Sequence, residues 1–290
     1  MYNIAIIGPP RSGTSLVANL IHSAGFSSSP NEKAKFFGAS EMNLDGYFED
    51  VEFVLLNDQL MRQGGRLQQK ISFLNPPDFL INDHSIQEDF KYDIDEKSLE
   101  VPDLYEENLF KYFIDGRDWW GLTKMSSTGK WYKAYQAFKL DSSLNINKKL
   151  KLYSDFLKNI KSSTFLKDPR LTFTLGFFNG LFKKVIWVER SNINSHLKSL
   201  KRHYGKNFLS NDAEPGFTWS VNHFNYKPEP LEYPTFISRY MRYKKYYEPE
   251  FGDNFLQVNY DELISKNNKK VILRIEEFIN SKVDKGLIRK

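Results

Sequence analysis

The stretch Tyr2-Asn3-Ile4-Ala5-Ile6-Ile7-Gly8-Pro9-Pro10-Arg11-Ser12-Gly13-Thr14-Ser15 decides the fold. A short apolar run ends abruptly at a glycine, which predicts a buried strand entering a tight turn. From Ser15 onward Leu16, Val17, Leu20, Ile21 and Ala24 recur at helical spacing, and Gly25 stands where a glycine closes a helix. A loop between a buried strand and a helix start presents unpaired backbone N–H groups. With the helix dipole, it favours an anion such as phosphate.

The same alternation returns further along the chain. Gly46 to Leu60 carries Phe48, Val51, Phe53, Val54, Leu55 and Leu60 among acidic residues, which suits a helix on a sheet. Lys148 to Ile160 has one helical face of Leu150, Tyr153, Phe156, Leu157 and Ile160. Thr164 to Leu166 reads as a short strand running into Lys167-Asp168-Pro169-Arg170, and Leu171 to Phe182 as a helix. Val185-Ile186-Trp187-Val188 is the clearest buried strand, and Asn194 to Tyr204 follows it as a basic helix. Phe255 to Val258 is a strand candidate. Val271, Ile272, Ile275, Phe278 and Ile279 mark a closing amphipathic helix, and the basic tail from Ser281 is expected to fray. Strands alternating with helices predict an α/β, three-layer fold: a central parallel sheet flanked by helices.

The 290 residues are read as one domain, 1–290. Residues 61–145 depart from the pattern, with Pro76-Pro77, an acidic stretch at 82–100, and aromatic islands at Trp119-Trp120 and Trp131-Tyr132. A long stretch of this kind inside an α/β chain is read as an inserted acceptor-binding or lid region of helix and loop.

Composition narrows the chemistry. There is no cysteine, which removes disulfide scaffolds, thiolate-bound metals and thiol nucleophiles. The five histidines form neither HExxH nor HxH, so no metal site is expected. Lys plus Arg number 41 against 36 Asp plus Glu, a net charge of +5. That surplus suits a small anionic ligand and is too thin for nucleic acid. No apolar window approaches membrane-spanning length, and the N-terminus lacks a signal-peptide pattern, so a cytoplasmic protein without a membrane span is expected.

The spacing from Gly8 to Gly13 is that of a Walker A loop, yet Thr14 stands where the ATP-binding lysine would be, and a cation appears instead at Arg11. Without the lysine, a nucleotide kinase or ATPase with a degenerate Walker A loop is the weaker reading. An inactive nucleotide-binding or interaction protein is a third.

Pro9 to Leu16, PPRSGTSL, resembles the 5′-phosphosulfate loop of sulfotransferases that use 3′-phosphoadenosine 5′-phosphosulfate (PAPS). Asp45-Gly46-Tyr47-Phe48-Glu49-Asp50 with Leu56-Asn57-Asp58 is similar to the GYWED…LND block of bacterial members. Phe165 to Leu171, FLKDPRL, resembles their LKDPRL segment, and Val258 to Leu263, VNYDEL, resembles the YEDL block before a final helix. In order, these anchors imply a P-loop-like fold and transfer of a sulfuryl group from PAPS to a hydroxyl or amine.

The resemblance also implies roles. Pro10, Arg11, Ser12, Gly13, Thr14 and Ser15 would hold the 5′ end of the nucleotide. Arg190, ending the strand VIWVE, would bind the 3′-phosphate together with a serine on the following helix. The usual spacing falls on Lys198; a one-residue insertion makes Ser199 the ligand, with Ser195 the alternative. Arg190 could instead pair with an acid, and Lys198, Lys201 and Arg202 could be a solvated helix face. Arg11 and Lys167 would meet the charge that develops in transfer. Glu49 is taken as the base, with Asp168, Asp50, Glu41 and His84 left open and first-turn helix acids as the plain alternative. Trp119, Trp120, Trp131 and Tyr132 could stack on an acceptor, with a carbohydrate preferred, or pack in the core.

Overall fold

A computed structural model describes residues 3–28, 48–50, 53, 57, 155, 158, 163–178, 180–204 and 233–288. The inserted region, with its aromatic islands, and Glu41 and His84 lie outside them.

Among the described residues the sheet has four parallel strands: β1 (Asn3–Ile7), β2 (Thr164–Lys167), β3 (Lys184–Glu189) and β4 (Phe255–Asn259), in the order β2-β1-β3-β4. Ile4 to Ile7 are wholly buried, because a parallel strand covered on both faces must be apolar at every position. Alternate residues feed two separate cores. Ala5, Ile7, Leu166, Val185 and Trp187 pack on one face, and Ile4, Ile6, Phe165, Ile186 and Val188 on the other.

On the second face lie α1 (Thr14–Ser23), α5 (Tyr260–Leu263) and α6 (Lys269–Ile279), through Val17, Leu20, Ile21, Leu263, Val271 and Ile275. On the first face lie α2 (Leu171–Thr174), α3 (Ile193–Tyr204) and α4 (Tyr233–Phe251). α4 presents Phe236, Tyr240, Tyr243 and Tyr247, a stripe at helical spacing, and Phe173 packs edge-on to Tyr243 with ring centroids 5.0 Å apart. Each large ring buried there contributes about 1.5–3 kcal/mol of transfer free energy. Pro249 stands in the last turn of α4, which ends two residues later.

Several expectations shift. The helix expected over Leu171 to Phe182 stops at Thr174 and tightens into a 3₁₀ turn, Leu175–Phe178, because Gly176 and Gly180 interrupt the run. In the expected 46–60 helix, Phe53 and Asn57 are helical, but Phe48 is left-handed and Glu49 is outside any helix. Asp50 accepts the Phe53 N–H, so it stands before the helical turn rather than within it. Asp155 and Lys158 are the described helical residues of the expected 148–160 helix. The tail from Ser281 does not fray: the buried Glu276 carboxylate holds Lys282 and the Val283 N–H, and Ser23 accepts the Asp284 N–H. Among the described residues no helix is long and apolar enough to cross a membrane.

Candidate functional site

Registry brings the site residues to one edge. Ile6 pairs with Lys167, Ile7 with Trp187 and Glu189 with Asn259, so the loops after all four strands open at their carboxyl ends. The chain goes from β1 outward to β2, then returns to β3 on the other side of β1. The crevice between β1 and β3 is therefore the switch point at which open α/β sheets collect ligands.

The β1–α1 loop occupies that crevice. Gly8 has φ +139°, and a Cβ there would stand 2.2 Å from the Val188 carbonyl oxygen of β3, so a side chain is excluded. Its N–H donates to Thr172 Oγ1 at 3.1 Å, which ties the loop to α2. Ser12 N–H closes a turn onto the Pro9 carbonyl at 3.2 Å, and Arg11 between them is left-handed, with φ +64°. Gly13 caps α1 in the left-handed region at φ +102°, with no side-chain cap and no acid in the first turn. No acid of the helix itself screens its positive end. Ser12 is buried, and its Oγ has no hydrogen-bond partner among the described residues.

Around this loop the residues expected in the site converge. Arg11 Nε lies 3.4 Å from Ser199 Oγ of α3. Lys167, buried at the end of β2, donates to Ser15 Oγ at 3.2 Å and ion-pairs with Glu49. Arg190 follows β3. Its Nη1 donates to the Ser195 carbonyl at 3.3 Å, its guanidinium stacks over Tyr260 at 4.1 Å from the ring centroid, and its buried Nε has no partner among the described residues. No carboxylate forms an ion pair with Arg190 among those residues; the stack on Tyr260 takes the place of the acid considered from sequence. Burial pushes the Arg190 pKa down, with Tyr260 and Asp261 opposing.

The serines separate by geometry. Ser195 donates its hydroxyl to the Asn192 carbonyl, and its N–H goes to the Asn192 side chain, so it is spent on the start of α3. Ser199 faces Arg11. Lys198, Lys201 and Arg202 are exposed, a solvated face as considered.

Of the carboxylates, Asp50 is buried as a turn acceptor. Asp168 is also buried: Oδ1 accepts the Arg170 N–H and guanidinium at 3.0 and 2.9 Å, and Oδ2 accepts Asn57 at 3.0 Å. Burial raises its pKa to about 6; Arg170 opposes that shift, and nearby Glu49 adds to it. Asn57 in turn accepts the Thr174 hydroxyl at 2.6 Å, a chain that fixes the turn after Lys167. Asp168 is thus engaged structurally, and Glu49 is the carboxylate at the loop.

His196 is a participant that sequence reasoning missed. It is buried on α3, with Nε2 2.9 Å from the Pro10 carbonyl and Nδ1 2.9 Å from Tyr233 Oη. A carbonyl only accepts, so Nε2 carries the proton and Nδ1 accepts the tyrosine O–H. Burial holds its pKa down at about 4, so the ring is neutral. The available signal was its place one turn before the buried Leu200. Tyr260, Thr172 and Arg170 were likewise given no role from sequence. Among the described residues no three His, Asp or Glu side chains cluster as a metal site would require.

Comparison of the chain with protein-family models, with curated proteins and with solved structures finds no match.

Proposed function

We propose that the chain is a P-loop-like, PAPS-dependent sulfotransferase that moves a sulfuryl group to a hydroxyl or amine. The observation that carries this reading is the convergence of Arg11, Ser199, Lys167, Glu49 and Arg190 on the acid-free start of α1, at the β1–β3 switch point. The residues present fit such a nucleotide. The positive end of α1, the orphan Ser12 Oγ and Arg11 suit its 5′ end, and the orphan Arg190 Nε with Ser199 suits a second anionic group. A triphosphate-binding lysine is missing, which favours PAPS over ATP.

In the transfer, the acceptor oxygen attacks sulfur while the bond from sulfur to the bridging phosphate oxygen breaks, and the leaving bisphosphate keeps the electron pair. Glu49 takes the acceptor proton. Its ion pair with Lys167 gives this step a second consequence. As the carboxylate is neutralised, its hold on Nζ weakens, and the ammonium becomes available to the oxygen gaining charge. Arg11 meets the same developing charge from the loop. The acceptor is a hydroxyl or amine compound, a carbohydrate being the preferred class.

The test is incubation with sulfur-labelled PAPS and a mixed panel of carbohydrate, phenolic, lipid and amine acceptors. The reading expects label in an acceptor and release of 3′-phosphoadenosine 5′-phosphate. Transfer of phosphate from Mg-ATP to any panel member, with no sulfuryl transfer, would favour the kinase reading instead.

A further inference from the structure

The junction of β4 and α5 touches both halves of the proposed nucleotide cradle. Tyr260 opens α5, and its ring lies so close over Gly13 that a Cβ there would stand 2.0 Å from Cδ2. The same ring carries the Arg190 guanidinium at 4.1 Å from its centroid. Three hydrogen bonds hold this junction in place. The Asn259 side chain accepts the Asp261 N–H at 2.9 Å, and Asp261 Oδ2 accepts the Asn192 N–H at 2.8 Å and the Ser191 hydroxyl at 3.2 Å. The loop after Arg190 is therefore pinned to the turn that holds Tyr260.

A guanidinium held over a ring is attracted to the π face and still has N–H donors free for a ligand. An acid in the ring's place would fix Arg190 equally well but would neutralise it and compete with an anionic ligand. The ring orients the cation without cancelling its charge.

We propose that Tyr260 is a positioning residue that sets specificity for a 3′-phosphate: it holds the Arg190 guanidinium in place for that group and, by covering Gly13, ties the contact to the loop for the 5′ end. This rests on the nucleotide reading above and adds the side chain that discriminates 3′-phosphorylated from plain adenine nucleotides.

The test is calorimetric titration of the full chain with 3′-phosphoadenosine 5′-phosphate and with adenosine 5′-monophosphate. Tyr260→Phe keeps the stack and should keep the parent's preference. Tyr260→Met fills similar space without a π face and should weaken bisphosphate binding by about tenfold while changing monophosphate binding by less than about twofold. A singly and then a triply fluorinated phenylalanine at position 260 withdraws charge from the ring face at nearly constant shape. Bisphosphate affinity should then fall stepwise. Parallel loss of both nucleotides, or an unchanged preference in Tyr260→Met and the fluorinated series, overturns the role of Tyr260. A parent that shows no preference between the two nucleotides overturns the nucleotide reading itself, a distinct result.

Discussion

His196 and Asp168 carry opposite pH signatures, and separating them tests how the loop is held. The folded His196 has a pKa of about 4 against 6.5 for an exposed histidine, so the unfolded chain takes the proton first as pH falls. Its contribution to stability is complete above about pH 6.5 and is lost progressively toward about pH 4. At about pH 5 the loss is roughly 2 kcal/mol. Asp168 has a folded pKa of about 6 against 3.8, so here the folded protein takes the proton first. Its contribution is complete below about pH 3.8 and is lost as pH rises through about 6, which leaves a gain of roughly 1 kcal/mol at about pH 5 relative to neutrality. In the parent the two partly offset each other. Urea unfolding of the parent, His196→Gln and Asp168→Asn at about pH 7 and about pH 5 separates them. Acidification should narrow the stability gap between parent and His196→Gln by about 2 kcal/mol, and should widen the gap to Asp168→Asn by about 1 kcal/mol. A gap to His196→Gln that does not move with pH would mean that His196 is not the neutral, buried latch on Pro10, and the account of the loop would fail.

Other perturbations have simpler signatures. Gly8→Ala drives a Cβ into the Val188 carbonyl at a φ that L side chains rarely adopt, and should cost about 1–3 kcal/mol or more in denaturant unfolding. Thr172→Val keeps the shape but removes the acceptor of the Gly8 N–H, and should cost about 1–3 kcal/mol in the same assay. Glu49→Gln should lower sulfuryl transfer by about 10²- to 10⁴-fold while leaving bisphosphate affinity within about threefold, read by single-turnover assay and titration. Transfer at the parent rate would remove Glu49 as base without touching the nucleotide site.

The two faces of the sheet were legible because their residues are nearly continuous apolar runs: NIAII and VIWV read as strands buried on both sides, and the Val271 to Ile279 stripe has a single helical period. The loop was legible for a different reason, since glycines at 8 and 13 and the missing lysine are local facts. What sequence did not disclose was contact between distant segments. His196 reads as one of five histidines until α3 packs it against Pro10 and Tyr233. Tyr260 belongs to a modest YDEL match until β4 brings its ring to Gly13. The 19-residue α4 was missed although Phe236, Tyr240, Tyr243 and Tyr247 carry the right spacing, because interleaved lysines, arginines and Pro249 obscure it. The tail's order also escaped, since one buried carboxylate, Glu276, gathers its cations.

The central claim is that the crevice between β1 and β3 is built for a 3′-phosphorylated adenine nucleotide. Thermal unfolding of the parent with saturating 3′-phosphoadenosine 5′-phosphate, compared with ADP and Mg-ATP, tests it most directly. A ligand at about a hundred times its Kd adds about 2.7 kcal/mol to the native state. That corresponds to a rise of roughly 4 °C in Tm for a chain of this size. That rise is expected with the bisphosphate, and little change with Mg-ATP. Stabilisation by Mg-ATP but not by the bisphosphate would contradict the claim.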